Sequence, residues 1–226
     1  MRELAPSIPV MLRASPFESH QQVMIYGLAA LFGAAAFTSS VIILDVAGTG
    51  IEWTRHYVSH FANGPLRWVF VSGALAHSAG NLALSLGLRR SLDPGRLRAW
   101  AVVLLGLAAA GIAVVSLAPI NPAESSPTLI GLAHRAVLAA SLPVELAALF
   151  LFSIAFRGHR RWRRRSGRSF VLSAIAASAL AAFLLAVLLN QMPAVAERLA
   201  LATFMAWEFW AAFQLIQPAT RVPITP

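Results

Sequence analysis

The chain has 226 residues, of which 58% are hydrophobic and 12% charged, and it contains no cysteine. A soluble domain is about half apolar and about a quarter charged, so this composition excludes an ordinary soluble domain and indicates a membrane protein. The net charge of +9 arises from 18 arginines, which lie in short segments between apolar runs. Because no basic surface on a soluble fold is implied, we expect no nucleic-acid partner. The absence of cysteine excludes disulfides and thiolate metal sites.

Residues 1–21 mix charged residues with prolines and predict a cytoplasmic N-terminal tail. Six apolar stretches follow, each near the ~20 residues that a helix needs to cross the hydrocarbon core. They cover residues 22–45, 66–88, 99–118, 130–156, 170–190 and 196–216. Runs this long without alternation are unlike barrel strands. The sequence therefore predicts an all-α polytopic membrane protein, a single bundle of six transmembrane helices over 22–216, with a cytoplasmic tail at 217–226.

The arginines predict the orientation of this bundle. Four lie within 89–98, seven within 157–168 and three in the two tails, which leaves four for all other segments. Cytoplasmic loops of membrane proteins carry an excess of basic residues. We therefore expect an inner-membrane protein with both termini in the cytoplasm and outward-facing segments at 46–65, 119–129 and 190–196.

Three ionisable residues, His77, Glu145 and Glu208, are predicted to lie deep in the bilayer. At about 1.5 Å per residue they lie roughly 16 to 22 Å from the outer ends of their helices, and Asn81 lies one turn from His77. Ionisable residues in spanning helices are rare and are usually paired or functional. Two interpretations stay open: a buried structural hydrogen-bond network, or a ligand site or proton path.

A second polar layer lies at the predicted outer boundary. It comprises Asp45, Glu52, His56, His60, Arg67, His134, Arg135, Asn190, Glu197 and Arg198. Arg135 with Glu197, or Arg198 with an outer carboxylate, would form interfacial ion pairs. The alternative is that these side chains extend separately to the membrane surface.

His56 and His60 have the i,i+4 spacing of two metal ligands on one helix face. The stretch reads H-Y-V-S-H, however, and lacks the glutamate of the H-E-x-x-H motif. We therefore predict neither a metal site nor a cofactor for this chain.

Three blocks carry a resemblance to a family. "YVSHFANGPLRW" contains Ser59, Gly64 and Trp68, "LAPINPAESSPTLIGLAHRAV" contains Pro119, Gly131 and His134, and "QMPAVAERLALATFMAWEF" contains Glu197, Arg198 and Trp207. In order and spacing they resemble domain-of-unknown-function family 998 (DUF998), whose members are multi-pass membrane proteins. The resemblance implies fold and location but no activity, and it directs attention to the outer face. Asn121 stands where that family tends to have aspartate, which weakens an acid–base role for this turn.

The leading interpretation is a protein that binds a lipid-like or small apolar ligand, or a partner protein, through an outer polar cap. The candidate ligand-binding residues are His60, Arg67, His77, His134, Glu145, Glu197, Arg198 and Glu208. Membrane lipids are the expected partners. Ser59, His60, Arg67, His134, Glu197 and Arg198 are expected to converge at the outer ends of the second, fourth and sixth helices.

Two alternatives stay open, so whether the chain is an enzyme is undecided. The first is a membrane-embedded lipid hydrolase or transferase, with Ser59 as nucleophile and His134 as base, because a serine nucleophile needs a base within hydrogen-bond reach. The second is an accessory subunit of a respiratory or photosynthetic complex. In that case the aromatic residues of the last helix, Trp207, Phe209, Trp210 and Phe213, would meet a membrane-protein partner or a pigment.

Overall fold

The structure, a computed structural model, describes residues 16–47, 52–118, 120 and 128–217. Within them the chain forms six helices that are long and apolar enough to cross a membrane, as the sequence predicts. They are α1 (Pro16–Val46), α2 (Arg67–Ser91), α3 (Arg96–Leu117), α4 (Leu129–Gly158), α5 (Ser166–Leu189) and α6 (Pro193–Ile216). Two short 3-10 helices, Val58–Asn63 and Arg163–Arg165, precede α2 and α5. The predictions for Arg2, Arg13, Pro119, Asn121 and Arg221 lie outside the described residues.

Five of the six helices begin earlier than the apolar stretches that predict them, and α2 is the exception. The difference is largest in α1 and α5, which begin at Pro16 and Ser166 although the hydrophobic runs begin at 22 and 170. Hydropathy marks only the part of a helix that crosses the hydrocarbon core, whereas the hydrogen-bonded helix continues into the polar interface. Pro143 lies inside α4, which is helical on both sides of it.

The turn between α5 and α6 is short because two of its residues adopt the left-handed conformation. Asn190, with φ of 52°, ends α5, and Met192, with φ of 47°, precedes Pro193. Asparagine tolerates this conformation better than most residues, and proline is favoured in the first turn of a helix. The two helices therefore form an antiparallel hairpin.

The helices form a closed ring. Each packs against its neighbours in the chain, α6 closes on α1, and α2 also contacts α6 across the centre. The contact between α1 and α2 depends on glycines, because a Cβ at Gly33 would meet the carbonyl of Ala76 and would lie 2.8 Å from Cα of Gly80. Small residues let helix backbones approach closely in lipid. α2 has the largest buried share of the six spans and α5 the smallest.

The two ends of the bundle differ. At the cap end, the end that holds the α1–α2, α3–α4 and α5–α6 connections, Asn63 donates a hydrogen bond from Nδ2 to the carbonyl of Ile120 at 2.7 Å. The opposite end, here called the arginine end, holds the connections at 92–95 and 159–165. There Arg161 donates to the carbonyls of Gln214 and Gln217 at 3.0 and 2.7 Å. Burial lowers the pKa of Arg161, since the charged form loses solvation.

An aromatic cluster fills the bundle towards the arginine end. Phe156 stacks on Trp162 at a centroid distance of 4.4 Å, and Phe152 packs against Trp207 at 6.2 Å. Trp207 is fully buried and donates from Nε1 to Oγ of Ser169 at 3.0 Å. Trp207 is thus engaged inside the protein rather than available to a partner or pigment.

Candidate functional site

The cap end is held together by two neighbouring residues of α6. Oε2 of Glu197 accepts a hydrogen bond from the backbone N–H of Val58 at 2.7 Å. Arg198 binds both carboxylate oxygens of Asp45, at 3.1 and 2.7 Å, and donates to the carbonyl of His56 at 3.0 Å. Arg198 thus has the outer carboxylate partner that the sequence suggested, whereas Glu197 binds a backbone amide. Together they fix the segment 52–63 over α1 and α6.

A groove of about 540 Å³ runs between α4 and α5 from the cap end into the membrane region; we call it the α4–α5 groove. At its cap end it is lined by Tyr57, Ser59, Ile120, His134, Arg135 and Glu197. The rest of its wall is apolar and comprises Leu138, Ala139, Leu142, Pro143, Leu180, Phe183, Leu184 and Val187, the last of which lies near the cap end of α5. The groove therefore combines polar residues at the cap end with an apolar remainder.

His134 lies in the wall of this groove because α4 begins just before it. Oγ1 of Thr128 caps the helix by accepting from the N–H of Gly131 at 3.1 Å. Nδ1 of His134 lies 2.6 Å from the carbonyl oxygen of Ala118, so Nδ1 carries the hydrogen of the neutral ring. Nε2 is then an acceptor. It is buried and has no hydrogen-bond partner among the described residues.

Ser59 lies in the same wall, on the 3-10 helix that precedes α2. Its side chain is 5% exposed, and Oγ makes no hydrogen bond within the described part of the chain. Ser59 and His134 thus share a groove but are not hydrogen-bonded to each other. The pair therefore lacks, in this structure, the hydrogen bond through which a base activates a serine nucleophile.

Two predicted cap residues lie outside the groove wall. Arg67 is exposed at the start of α2 and stacks over the ring of Trp68, 4.5 Å from its centroid. His60 stacks on Tyr57 at a centroid distance of 5.7 Å. Burial, and then the neighbouring His56, lowers the pKa of His60. Burial, and then the charge of Glu197, raises the pKa of Tyr57.

His56 and His60 do not occupy one helical face. Residues 53–56 form turns and a bend, and the 3-10 helix begins only at Val58. The two rings meet edge to face at 5.5 Å, and Nδ1 of His56 lies 3.1 Å from the carbonyl oxygen of Glu52. An i,i+4 spacing places two side chains on one face only in an α-helix. This segment is not an α-helix, so the spacing does not indicate a ligand pair.

A second groove, the α1–α6 groove, has a volume of about 430 Å³. Asp45 and Arg198 line its cap end, and Thr38, Ala202 and Phe209 are among the residues along it. Its two charged residues form the ion pair already described.

In the centre of the bundle, His77, Glu145 and Glu208 come together from α2, α4 and α6; we call these three residues and Asn81 the central cluster. Nε2 of His77 lies 3.0 and 2.9 Å from the two carboxylate oxygens of Glu208. Nδ2 of Asn81 donates to Oε1 of Glu145 at 3.3 Å. All four residues are buried. The common depth of three of them was readable from the sequence, but their contact across three helices was not.

A narrow cavity of about 70 Å³ connects the two polar regions. Its wall includes Ser59 and Glu197 at the cap end and His77 and Glu145 in the centre. The sequence placed Arg135 in the outer polar layer as a possible ion-pair partner of Glu197, but not among the candidate ligand-binding residues; that ion pair is absent from the described residues. Phe183 was not singled out, because it lies in α5, whose apolar sequence offers no signal for the face that lines a groove.

Residues 31–214 match the family model described as protein of unknown function (DUF998), which covers most of the chain. The chain belongs to this family, as the three sequence blocks indicated. No curated protein and no solved structure matches the chain.

Proposed function

We propose that this DUF998 protein binds an anionic membrane lipid with a hydroxyl-bearing headgroup in the α4–α5 groove. One observation carries the proposal. Ser59 and His134 each place a buried polar atom without a partner, among the described residues, in the polar end of a groove whose remaining wall is apolar. Buried polar atoms are nearly always hydrogen-bonded, so two unsatisfied ones in one wall favour a ligand that completes them.

The polar end of the groove favours a specific headgroup chemistry. Nε2 of His134 offers an acceptor, and the hydroxyl of Ser59 can donate or accept. Arg135 is exposed at the rim and forms no ion pair within the described residues. A free hydroxyl and a phosphate would satisfy these three groups together. Phosphatidylglycerol is the simplest membrane lipid with both.

The rest of the groove suits an acyl chain. Leu184 and Val187 are about half exposed, so the groove is accessible from the side of the bundle that faces lipid. Pro143 has no N–H, so the carbonyl of Ala139 loses its helical donor and adds another acceptor. The volume of about 540 Å³ lies within the range of small-molecule sites, roughly 300 to 1,000 Å³.

The experiment compares two alanines that are both exposed and line different grooves. Ala139→Trp fills the α4–α5 groove, and Ala202→Trp fills the α1–α6 groove. Delipidated protein is titrated with phosphatidylglycerol or phosphatidylethanolamine and examined by native mass spectrometry. We expect one phosphatidylglycerol per chain and an affinity loss of about tenfold, or 1.4 kcal/mol, in Ala139→Trp only. Equal loss in both variants, or equal binding of both lipids, would contradict the proposal.

Lipid hydrolysis is the second candidate, and Ser59 with His134 in one groove favours it. The missing hydrogen bond between them argues against it. A fluorophosphonate probe reports an activated serine directly. We expect no labelling of Ser59, and labelling that Ser59→Ala abolishes would make hydrolysis the better hypothesis.

We also propose that the cap end faces away from the cytoplasm of a cell with an inner membrane. Support comes from the arginines, eleven of which lie at 89–98 and 157–168 and so cluster at the arginine end. Reporter fusions at 94 and 163 should read cytoplasmic, and fusions at 56 should read external. An external reading at 163 would contradict this orientation.

A further inference from the structure

The central cluster has the composition and spacing of a metal site. His77, Glu145 and Glu208 each offer one ligand atom, and these atoms lie within 4.8 Å of one another. No other such group of three occurs in the described ranges from 16 to 217. Tetrahedral bonds of about 2.1 Å separate ligand atoms by roughly 3.4 Å, so an ion fits with small side-chain adjustments.

Charge favours an ion as well. Two carboxylates and one imidazole are enclosed by helices, and no arginine pairs with either carboxylate among the described residues. Burying carboxylates as anions without compensation is costly. One divalent cation would neutralise both.

Asn81 supplies an independent observation. It is 1% exposed, and its Oδ1 has no hydrogen-bond partner within the described residues. Its Nδ2 lies 3.4 Å from Nε2 of His77 and 3.3 Å from Oε1 of Glu145. Rotating the amide by half a turn exchanges the two atoms and places Oδ1 beside the ligands. In either orientation one polar atom of the buried amide has no partner, but only the rotated amide offers an oxygen to a cation.

We propose that His77, Glu145 and Glu208 bind one divalent first-row transition-metal ion, with the amide oxygen of Asn81 as a fourth ligand. The donor set of one imidazole and three oxygens suits Zn²⁺ and Mn²⁺ better than Cu⁺, which favours thiolates and thioethers. This departs from the expectation of no metal, which rested on His56 and His60 alone.

The narrow cavity touches His77 and Glu145 and continues to Ser59 and Glu197 at the cap end. Apart from these four residues and Ser116 its wall is apolar, so it offers few hydrogen-bond partners to water, and all four proposed ligands come from the protein. The site shares none of its four ligands with the α4–α5 groove, so the two proposals fail independently.

Two carboxylates provide the test. Glu208→Gln removes a proposed ligand, and Asp45→Asn removes a partly buried carboxylate outside both the cluster and the cavity. The full chain is purified without a polyhistidine tag, and bound metals are measured by inductively coupled plasma mass spectrometry. We expect about one transition-metal ion per chain in the wild type and in Asp45→Asn, and near zero in Glu208→Gln.

A second measurement covers the case in which Glu208→Gln does not fold. Wild-type protein is stripped with a chelator and its unfolding temperature is followed as Zn²⁺ or Mn²⁺ is added. An ion that binds only the folded state raises this temperature. The proposal is overturned if stripped protein shows no shift with either ion, or if Glu208→Gln and Asp45→Asn retain the same metal content. Those results would identify the cluster as a proton-sharing hydrogen-bond network, in which glutamine replaces a protonated carboxyl with little effect.

Discussion

The α4–α5 and α1–α6 grooves are alike in shape and opposite in electrostatics. Each lies between two helices, has an arginine at its cap end and is mostly apolar below it. Arg198 in the α1–α6 groove is 12% exposed and bound by both oxygens of Asp45, whereas Arg135 in the α4–α5 groove is exposed and unpaired within the described residues. The comparison teaches that grooves of similar shape can differ in charge. Each groove has one unbonded hydroxyl, but only in the α4–α5 groove does the arginine lack a carboxylate partner within the described residues.

The largest expected difference between the two grooves is in how much each arginine contributes to the free energy of unfolding. Arg198→Gln leaves Asp45 as a partly buried charge without its partner and should lower the free energy of unfolding by about 3 kcal/mol. Arg135→Gln should change the free energy of unfolding by less than about 0.5 kcal/mol, because its side chain is exposed. SDS-induced unfolding of the purified variants measures both. Similar losses would show that Arg135 also has a structural role.

The two hydroxyls without partners offer a finer comparison. Oγ of Ser59 lies in the α4–α5 groove and Oγ1 of Thr38 in the α1–α6 groove, and neither is bonded within the described chain. Ser59→Ala should weaken phosphatidylglycerol binding by about fivefold, near 1 kcal/mol, without lowering stability. Thr38→Val, the control, should leave binding unchanged. If Thr38→Val weakens binding as much, the lipid occupies the other groove.

A smaller effect on phosphatidylglycerol binding is expected from Arg135, at the rim of the α4–α5 groove. Arg135→Gln should weaken phosphatidylglycerol binding roughly twofold, or about 0.5 kcal/mol, because exposed charge pairs contribute little in water. Arg67→Gln serves as the control, since Arg67 is an exposed arginine of the cap end outside both grooves. Binding is measured at low and high salt, and salt should remove the difference. A twofold loss in Arg67→Gln would indicate a general effect of surface charge.

The smallest expected effect is on the pH dependence of stability, and it arises in the segment 56–60, which contacts both grooves. Tyr57 lines the α4–α5 groove, and the carbonyl of His56 binds Arg198 of the α1–α6 groove. Burial lowers the pKa of His60, which stacks on Tyr57, so the folded state prefers the neutral ring. The contribution of His60 to stability is complete above its unfolded pKa of about 6.5 and decreases as the pH falls below that value.

His60→Gln should therefore flatten the dependence of unfolding on pH between about 5 and 7. Thermal unfolding across this interval measures the slope. An unchanged slope in the variant would assign the titration to another group.

The spans and the depth of the polar residues were readable from the sequence. Length and hydropathy identify a helix that crosses lipid, and the rise per residue places His77, Glu145 and Glu208 in one layer. The hairpin between α5 and α6 follows from Asn190 and Pro193. Each of these inferences concerns position along a helix, which the sequence contains directly.

The rotation of each helix about its own axis, which determines the side chains that face the inside of the bundle, was decided only by the tertiary structure. In water an apolar stripe marks the buried face, but in lipid the outer face is equally apolar, so the pattern carries little information on direction. One alternative therefore assigned Trp207 to a partner although it packs inside, and Arg67 was expected in the shared outer pocket although it stacks on Trp68 outside the groove wall. The partner of Arg198, the acceptor nitrogen of His134 and the groove beside α5 all depend on that rotation, because each requires side chains from two or more helices to face one another.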